Sequence, residues 1–347
     1  MSGTFPSVCL NLEIQSLKML FPTSADMRRK YTPFLASAFV ASLLLFQNIS
    51  FLMISAGPEG DWPFGGKDAG RRNYAESERE LMPPLILKWT QNVTDSYIDA
   101  ITTGSGRVFL ALEEGGGHPN RVLCLDEVSG KELWKYDIPN SGGAMDCAPA
   151  YFEDAMYVGG QVETSLHVLD AKTGSLKWSF KLNSSMYASA PAVVGGLVYV
   201  RSGTNIFAID PATRSLKWKL QRTYAEFAFY GDTLFAQSSS YILALDRMTG
   251  VQKWNKSIGA AYWYNAPIVS GQSLFIMGAE RDRFTLLSLS ASDGSRKWTY
   301  YIDKGFTETG VFPGFLAEGN GVLCASLVNV TRTSGASIYN GKIVALD

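Results

Sequence analysis

Histidine is almost missing from these 347 residues: only His118 and His167 occur, 49 positions apart, with no cysteine or carboxylate at helical spacing beside either. That scarcity excludes an imidazole-built zinc or iron centre, whose ligands come in clusters. Cysteine is scarce too. Cys9, Cys124, Cys147 and Cys324 form no C-x-x-C and no adjacent pair, so they read as small apolar residues of buried strands. Cys124 with Cys147 is the one pair whose disulfide merits a test in an oxidising compartment. Nor is there an excess of basic charge: the formal net charge is −1, which leaves no field to hold a nucleic-acid backbone. A helical period is absent after residue 85. What remains is apolar and aromatic, 46% and 12% of the chain, enough for a sizeable core of strands.

The N-terminal fifth has a different character. Met27-Arg28-Arg29-Lys30 precedes an apolar, small-residue run from Thr32 to Phe46, then Gln47-Asn48 and a second apolar patch from Ile49 to Ile54. Basic residues ahead of apolar ones make a secretory signal or a signal anchor, with the basic flank held in the cytoplasm and everything after it exported. Two readings stand side by side. Residues 33–56 are long enough to span a bilayer as a helix, and Ile54-Ser55-Ala56 is a passable cleavage site. Residues 1–26 lie ahead of the basic cluster and read as disordered or as a misplaced start, with Met27 a second candidate for the initiator. Five N-x-S/T triplets, at Asn48, Asn92, Asn183, Asn255 and Asn329, agree with export in a host that glycosylates, although a chain rich in Ser and Thr produces such triplets by chance.

Past residue 85 one pattern repeats. Val122-Leu-Cys-Leu-Asp126-Glu-Val-Ser-Gly130-Lys-Glu-Leu-Trp134 aligns with the stretches from Leu166 through Asp170 and Gly174 to Trp178 and from Ile206 through Asp210 and Arg214 to Trp218. It aligns again with Ile242 through Asp246 and Gly250 to Trp254, and with Leu286 through Ser290 and Gly294 to Trp298. Counted from Trp89, these tryptophans recur every 36 to 45 residues, the length of one four-stranded propeller blade. The apolar run is a strand, and its terminal Asp can cap the turn by accepting from backbone N–H groups. Glycine four places later supplies positive φ. The following strand carries Trp, whose area suits a seam between neighbouring blades and whose indole N–H needs a partner there. Arg214 and Ser290 depart from the pattern.

This pattern resembles the PQQ-like β-propeller repeat, in which A-x-D-x-x-T-G-x-x-x-W is the tryptophan-docking motif of each blade. Asp61-Trp62-Pro63-Phe64-Gly65 is similar to the segment that precedes the first blade in exported members. The expected fold is all-β: a propeller over residues 85–347, most simply six four-stranded blades, behind a linker at 57–84 and a membrane-targeting helix at 27–56. Strand quartets are expected near 98–137, 146–181, 188–221, 225–257 and 264–301, with a sixth from about 311. Leu85-Ile-Leu-Lys-Trp89 is read as the outer strand of the sixth blade, Trp89 pairing with the turn at Asp347 and closing the ring. A truncated gene with further blades missing is the rival. The docking residues are Trp89, Asp126, Trp134, Asp170, Trp178, Asp210, Trp218, Asp246, Trp254 and Trp298.

The resemblance also raises a quinone-dependent dehydrogenase. Such enzymes carry an adjacent-cysteine disulfide over the cofactor and a calcium site of Glu, Asn and Asp. No positions here match either, so neither PQQ nor calcium is expected, and no catalytic residue is assigned. The resemblance extends to the exported propeller lipoprotein of the bacterial outer-membrane assembly machinery, although no cysteine follows the signal here to take a lipid. The expected function is an extracytoplasmic, monomeric scaffold that binds protein or carbohydrate, attached to the membrane through its N-terminal segment, with no nucleic acid and no catalysis. Candidate contact residues lie on loops entering each blade: Tyr187, Tyr224, Tyr262, Trp263 and Tyr264, joined by Tyr97 and Phe306. By strand counting the same face holds Glu280, Arg281, Asp282 and Arg283, and the carboxylates Glu113, Glu114 and Glu163.

Overall fold

The computed structural model describes Arg71 and residues 85–347 apart from 115–117, 140–147, 160–163, 185, 187–189, 222–225, 239, 262–265, 281–282, 302–310 and 334–335. The targeting segment and most of the linker lie outside the described residues. Contacts divide the chain into Met1–Met53 and Ile54–Asp347, and only the second unit is described below.

The described residues hold twenty-four strands and no helix. The first sheet contains β1 (Ser96–Gly104), β2 (Arg107–Glu114), β3 (Arg121–Asp126) and β4 (Glu132–Asp137), and the second β5 (Ala150–Phe152), β6 (Ala155–Val158), β7 (Ser165–Asp170) and β8 (Leu176–Lys181). The third contains β9 (Ala192–Val194), β10 (Leu197–Ser202), β11 (Asn205–Asp210) and β12 (Ser215–Gln221), and the fourth β13 (Glu226–Tyr230), β14 (Thr233–Gln237), β15 (Tyr241–Asp246) and β16 (Gln252–Ser257). A short extra strand, β17 (Ala260–Ala261), joins β18 (Ile268–Ser270), β19 (Ser273–Glu280), β20 (Arg283–Ser290) and β21 (Arg296–Tyr301) in the fifth sheet. β22 (Val311–Gly319), β23 (Val322–Thr333) and β24 (Ala336–Leu346) make the sixth, three-stranded sheet. All pairings are antiparallel meanders. The strands thus fall within a few residues of the expected quartets.

Successive sheets bury their faces against one another. Phe109, Val122 and Cys124 of the first pack on Met156 and Leu169 of the second. The same arrangement recurs down the series: Leu166 meets Val198 and Ile209, Tyr199 and Ile206 meet Phe227 and Leu243, Phe235 and Ile242 meet Ile276 and Leu287, and Met277 and Leu286 meet Leu316 and Leu323. The middle strands are therefore buried on both faces, while the fourth strand of each quartet alternates with solvent. Such face-to-face stacking suits short antiparallel sheets whose apolar faces would otherwise lie open to solvent.

The five repeats share one register. Trp134, Trp178, Trp218, Trp254 and Trp298 stand opposite Cys124, Val168, Ala208, Ala244 and Ser288, and in each case the next ladder step is a bulge. A bulge adds local twist and re-aims a side chain, and here it precedes an indole that leaves its own sheet. Trp134 Nε1 donates to Ala171 O at 3.0 Å, Trp218 Nε1 to Arg247 O at 2.9 Å and Trp254 Nε1 to Ala291 O at 3.3 Å. Each acceptor sits just after the Asp, or after Ser290 in the fifth repeat, in the following sheet. The turn glycine therefore does two things. Gly174 has φ 72°, and a Cβ on it would stand 2.6 Å from Trp134 Cδ2, so the indole lies flat where a side chain would begin.

The turns are capped as expected. Asp126 Oδ1 accepts from Ser129 N and Oγ at 2.7 and 2.6 Å, and Asp170, Asp210 and Asp246 accept from the same relative positions. These bonds hold the carboxylates of Asp126 and Asp170 below their usual range, the contact with Ser129 or Thr173 being the largest cause. In the fifth repeat the cap has moved: Asp293 accepts from Ser295 N and Oγ, which lowers its carboxyl to about 2.

Arg214 adopts φ 56° in place of the glycine. A left-handed backbone at a residue with a Cβ costs about 1 kcal/mol, partly offset by the entropy glycine adds to the unfolded chain. Arg214→Gly is expected to stabilise the protein by about 0.5 kcal/mol, read as a rise in urea midpoint at unchanged slope.

Cys124 is a buried free thiol inside the seam between the first two sheets, as the small-apolar reading expected, its pKa pushed up to about 12 by burial, and Cys147 lies outside the described residues. One expectation is corrected. Residues 85–94 carry no strand, and Leu85, Ile86 and Leu87 are exposed rather than paired along β24. Trp89 does not join the turn at Asp347. It docks on the first sheet, with Nε1 donating to Glu127 O at 2.9 Å and its ring against Gly130.

Candidate functional site

In each four-stranded meander the first–second and third–fourth turns lie at one end, and the second–third turn and the entering segment lie at the other. At the first end Arg247, just after the Asp246 cap, reaches across to the third sheet. Its Nε donates to Gly231 O at 3.1 Å and its Nη1 to Val194 O at 3.3 Å, while its own carbonyl accepts from both Tyr199 Oη and Trp218 Nε1 at 2.9 Å. These polar groups fasten one sheet to the next.

The entry end is different. Arg201 is the fifth residue of β10, after four consecutive buried apolar residues, and Glu226 is the first residue of β13. Their side chains meet at 3.2 Å between Arg201 Nη2 and Glu226 Oε1, with both about nine-tenths buried or more. Arg71 approaches from outside any sheet, its Nη1 lying 3.7 Å from Glu226 Oε2 and its guanidinium carbon 5.4 Å above the Phe227 ring. Burial pushes the Glu226 carboxyl up, and the charges of Arg71 and Arg201 pull it back. Burial likewise lowers the Arg71 guanidinium, opposed by Glu226 and reinforced by Arg201. Two cations thus share one carboxylate in a place where charge is costly to desolvate. Nearby, Ser202 Oγ donates to the carbonyl of Ser184, in the segment leading to the third sheet, at 2.5 Å.

Glu226 follows immediately on residues 222–225, the loop of Tyr224. Tyr187, Tyr224, Tyr262, Trp263, Tyr264 and Arg281 lie outside the described residues, as do Asp282, Phe306 and Glu163. Glu280 and Arg283 close the β19–β20 hairpin as its last pair. Tyr97 is exposed on β1. Glu114, one of the carboxylates named above, accepts from Ser96 Oγ at 2.9 Å and pairs with Arg121 at 3.1 Å, and Arg121 also reaches Asp137 at 2.6 Å. Among the described residues no group of three His, Cys, Asp or Glu side chains is placed to hold a metal, and no helix is long and apolar enough to cross a membrane. The sequence reading missed the Arg71, Arg201 and Glu226 cluster. The signal was there in two places, as a charged residue at the end of Leu197-Val-Tyr-Val and another opening Glu226-Phe-Ala-Phe.

Comparison with known proteins agrees with this architecture. Over 102 residues the chain is 30% identical to the tetrathionate hydrolase of Acidithiobacillus ferrooxidans, covering 27% of this chain and 20% of that one. Over 119 residues it is 32% identical to the quinohemoprotein alcohol dehydrogenase ADH IIB of Pseudomonas putida, covering 29% and 17%. The chain therefore spans a fifth or less of the length of these relatives. Among solved structures, BamB of Moraxella catarrhalis superposes with a TM-score of 0.52 at 18% identity over 69% of each chain. Quinohemoprotein alcohol dehydrogenase of Comamonas testosteroni gives 0.58 at 15% identity, over 79% of this chain and 58% of that one. At such identities the likeness is one of fold alone. The family model described as outer membrane protein assembly factor BamB matches residues 118–263 and 225–344, which together make about two thirds of the chain. Repeated Asp-turn-Trp units, sheets pinned each to the next and that match together make the protein a member of the PQQ-like β-propeller family.

Proposed function

We propose that this propeller is an exported binding and assembly scaffold whose contact surface is the entry end of its sheets. The observation that carries this reading is the Arg71, Glu226 and Arg201 cluster. The five seams described above are lined by apolar residues, three of them with side-chain bonds to backbone carbonyls, whereas at the entry end of the third and fourth sheets charge is gathered beneath the loops that propellers use for contact. Burying charge without a structural need is a feature of binding sites more than of packing. A protein partner fits the polar character better than a glycan does, and the family's assembly-factor members favour the same class. Export rests on residues 27–56 as signal or anchor, and a propeller needs no second copy to act this way.

A quinone-dependent dehydrogenase is the second reading, favoured by the stretches shared with quinohemoprotein alcohol dehydrogenases. The donor set does not fit that cofactor. Cys124 is enclosed in a seam, Cys324 stands alone on β23, and no acidic group is gathered for calcium among the described residues. No step is assigned to it.

The test is capture from a membrane fraction by the purified chain, with and without Tyr262-Trp263-Tyr264 replaced by serines. The replacement is expected to lower the yield of the captured protein at least fivefold. Equal capture, or turnover of alcohols with a dye acceptor after loading with PQQ and calcium, would reverse the assignment.

A further inference from the structure

The three members of the buried cluster are not equivalent. Arg201 and Glu226 are fixed by β10 and β13 and meet at 3.2 Å. Arg71 is the more loosely held of the two cations. It stands farther from the carboxylate, at 3.7 Å, belongs to no strand, and holds a left-handed backbone at φ 57°. Arg201 repels it, and its desolvation is unfavourable. What holds it is the outer carboxylate oxygen of Glu226 together with the face of Phe227, a cation–π contact at 5.4 Å. Removal of Arg71 would leave Glu226 Oε2 and the ring of Phe227 without the cation they hold, a place that another planar cation of the same size matches.

From this geometry we infer that Glu226 and Phe227 form a receptor for the guanidinium of an arginine-bearing peptide partner, and that Arg71 occupies it in the free chain as an internal competitor. Arginine fits better than lysine, because its flat guanidinium can stack on the ring and donate in the plane of the carboxylate at once. A filled receptor lowers apparent affinity by the fraction of molecules in which it stands open. This rests on the scaffold reading and names the partner chemistry of the same face.

The test uses the full chain and its Arg71→Ala variant, titrated calorimetrically with the capped peptide Gly-Arg-Gly and with its uncharged citrulline counterpart. The variant is expected to bind the arginine peptide at least tenfold more tightly than the natural chain, to ignore the citrulline peptide, and to lose binding when Glu226→Gln is added. Arg71→Gln, which keeps side-chain length without charge, is expected to give the same separation and serves if the alanine variant does not fold. Equal affinity in variant and natural chain, equal binding of the citrulline peptide, or no binding by either protein would overturn the inference. Failure here with loop-dependent capture intact would leave the scaffold reading standing. Loss of that capture with the tenfold separation present would do the reverse.

Discussion

Trp134→Ala is expected to lower stability by about 4 kcal/mol, the range in which large aromatic truncations in well-packed cores fall. Trp134 is 8% exposed, lies 5.9 Å from the Phe109 ring, covers Gly174 and donates to Ala171. Its removal therefore empties a seam between two sheets and strips a carbonyl of its donor. Trp134→Phe, which keeps most of the apolar area and loses the N–H, is expected to cost about 1 kcal/mol through the hydrogen bond together with a smaller volume term. Gly174→Ala attacks the same contact from the other side, through steric overlap and left-handed strain, and is expected to cost about 2 to 3 kcal/mol. Urea unfolding of the three variants measures all of this. Trp298→Ala is the internal comparison, since that ring is 38% exposed. If Trp134→Ala proved no more destabilising than Trp298→Ala, docking onto the next sheet would not be what holds the seams.

Glu226→Ala should be nearly as damaging, at about 3 kcal/mol, by a different cause. The carboxylate lies between Arg201 and Arg71, and removing one partner of a buried ionic group leaves charge without compensation. Arg71→Ala removes the more loosely held cation instead and is expected to cost about 1 kcal/mol or less, most of it packing on Phe227. The double variant should be less unstable than the sum of the two, because deleting Arg71 relieves part of the uncompensated charge that Glu226→Ala creates. Strict additivity in urea midpoints would mean that the two side chains do not interact.

How much of this was legible depended on whether the cause was local. The Asp cap, the turn and the Trp register are set within a dozen residues and repeated five times, so their strands could be placed nearly to the residue. Asp126 caps Ser129 whatever the rest of the chain does. Which turn each indole meets is a property of neighbouring sheets, and for Trp89 the sequence points to Asp347 whereas the ring sits on Gly130. The second role of the turn glycines, giving room to an indole from another sheet, was hidden for the same reason. The charge cluster was the hardest to foresee: positions 71, 201 and 226 share no period, and only the stacking of the third sheet on the fourth brings two of them together. The aromatic loops were named from composition, and their residues lie outside those described.

The tryptophans also give the molecule a direction in time. Trp134 and Trp254 each donate to a carbonyl 37 positions later, Trp89 to one 38 later and Trp218 to one 29 later. During synthesis, which delivers N-terminal parts first, every one of these indoles leaves the ribosome before its acceptor does. The first, third and fourth sheets of a growing chain thus each trail one indole that gains its acceptor only when the next sheet arrives. Assembly is consequently read off in steps, and an arrested nascent chain should report how many sheets it has completed through the emission of a single waiting tryptophan.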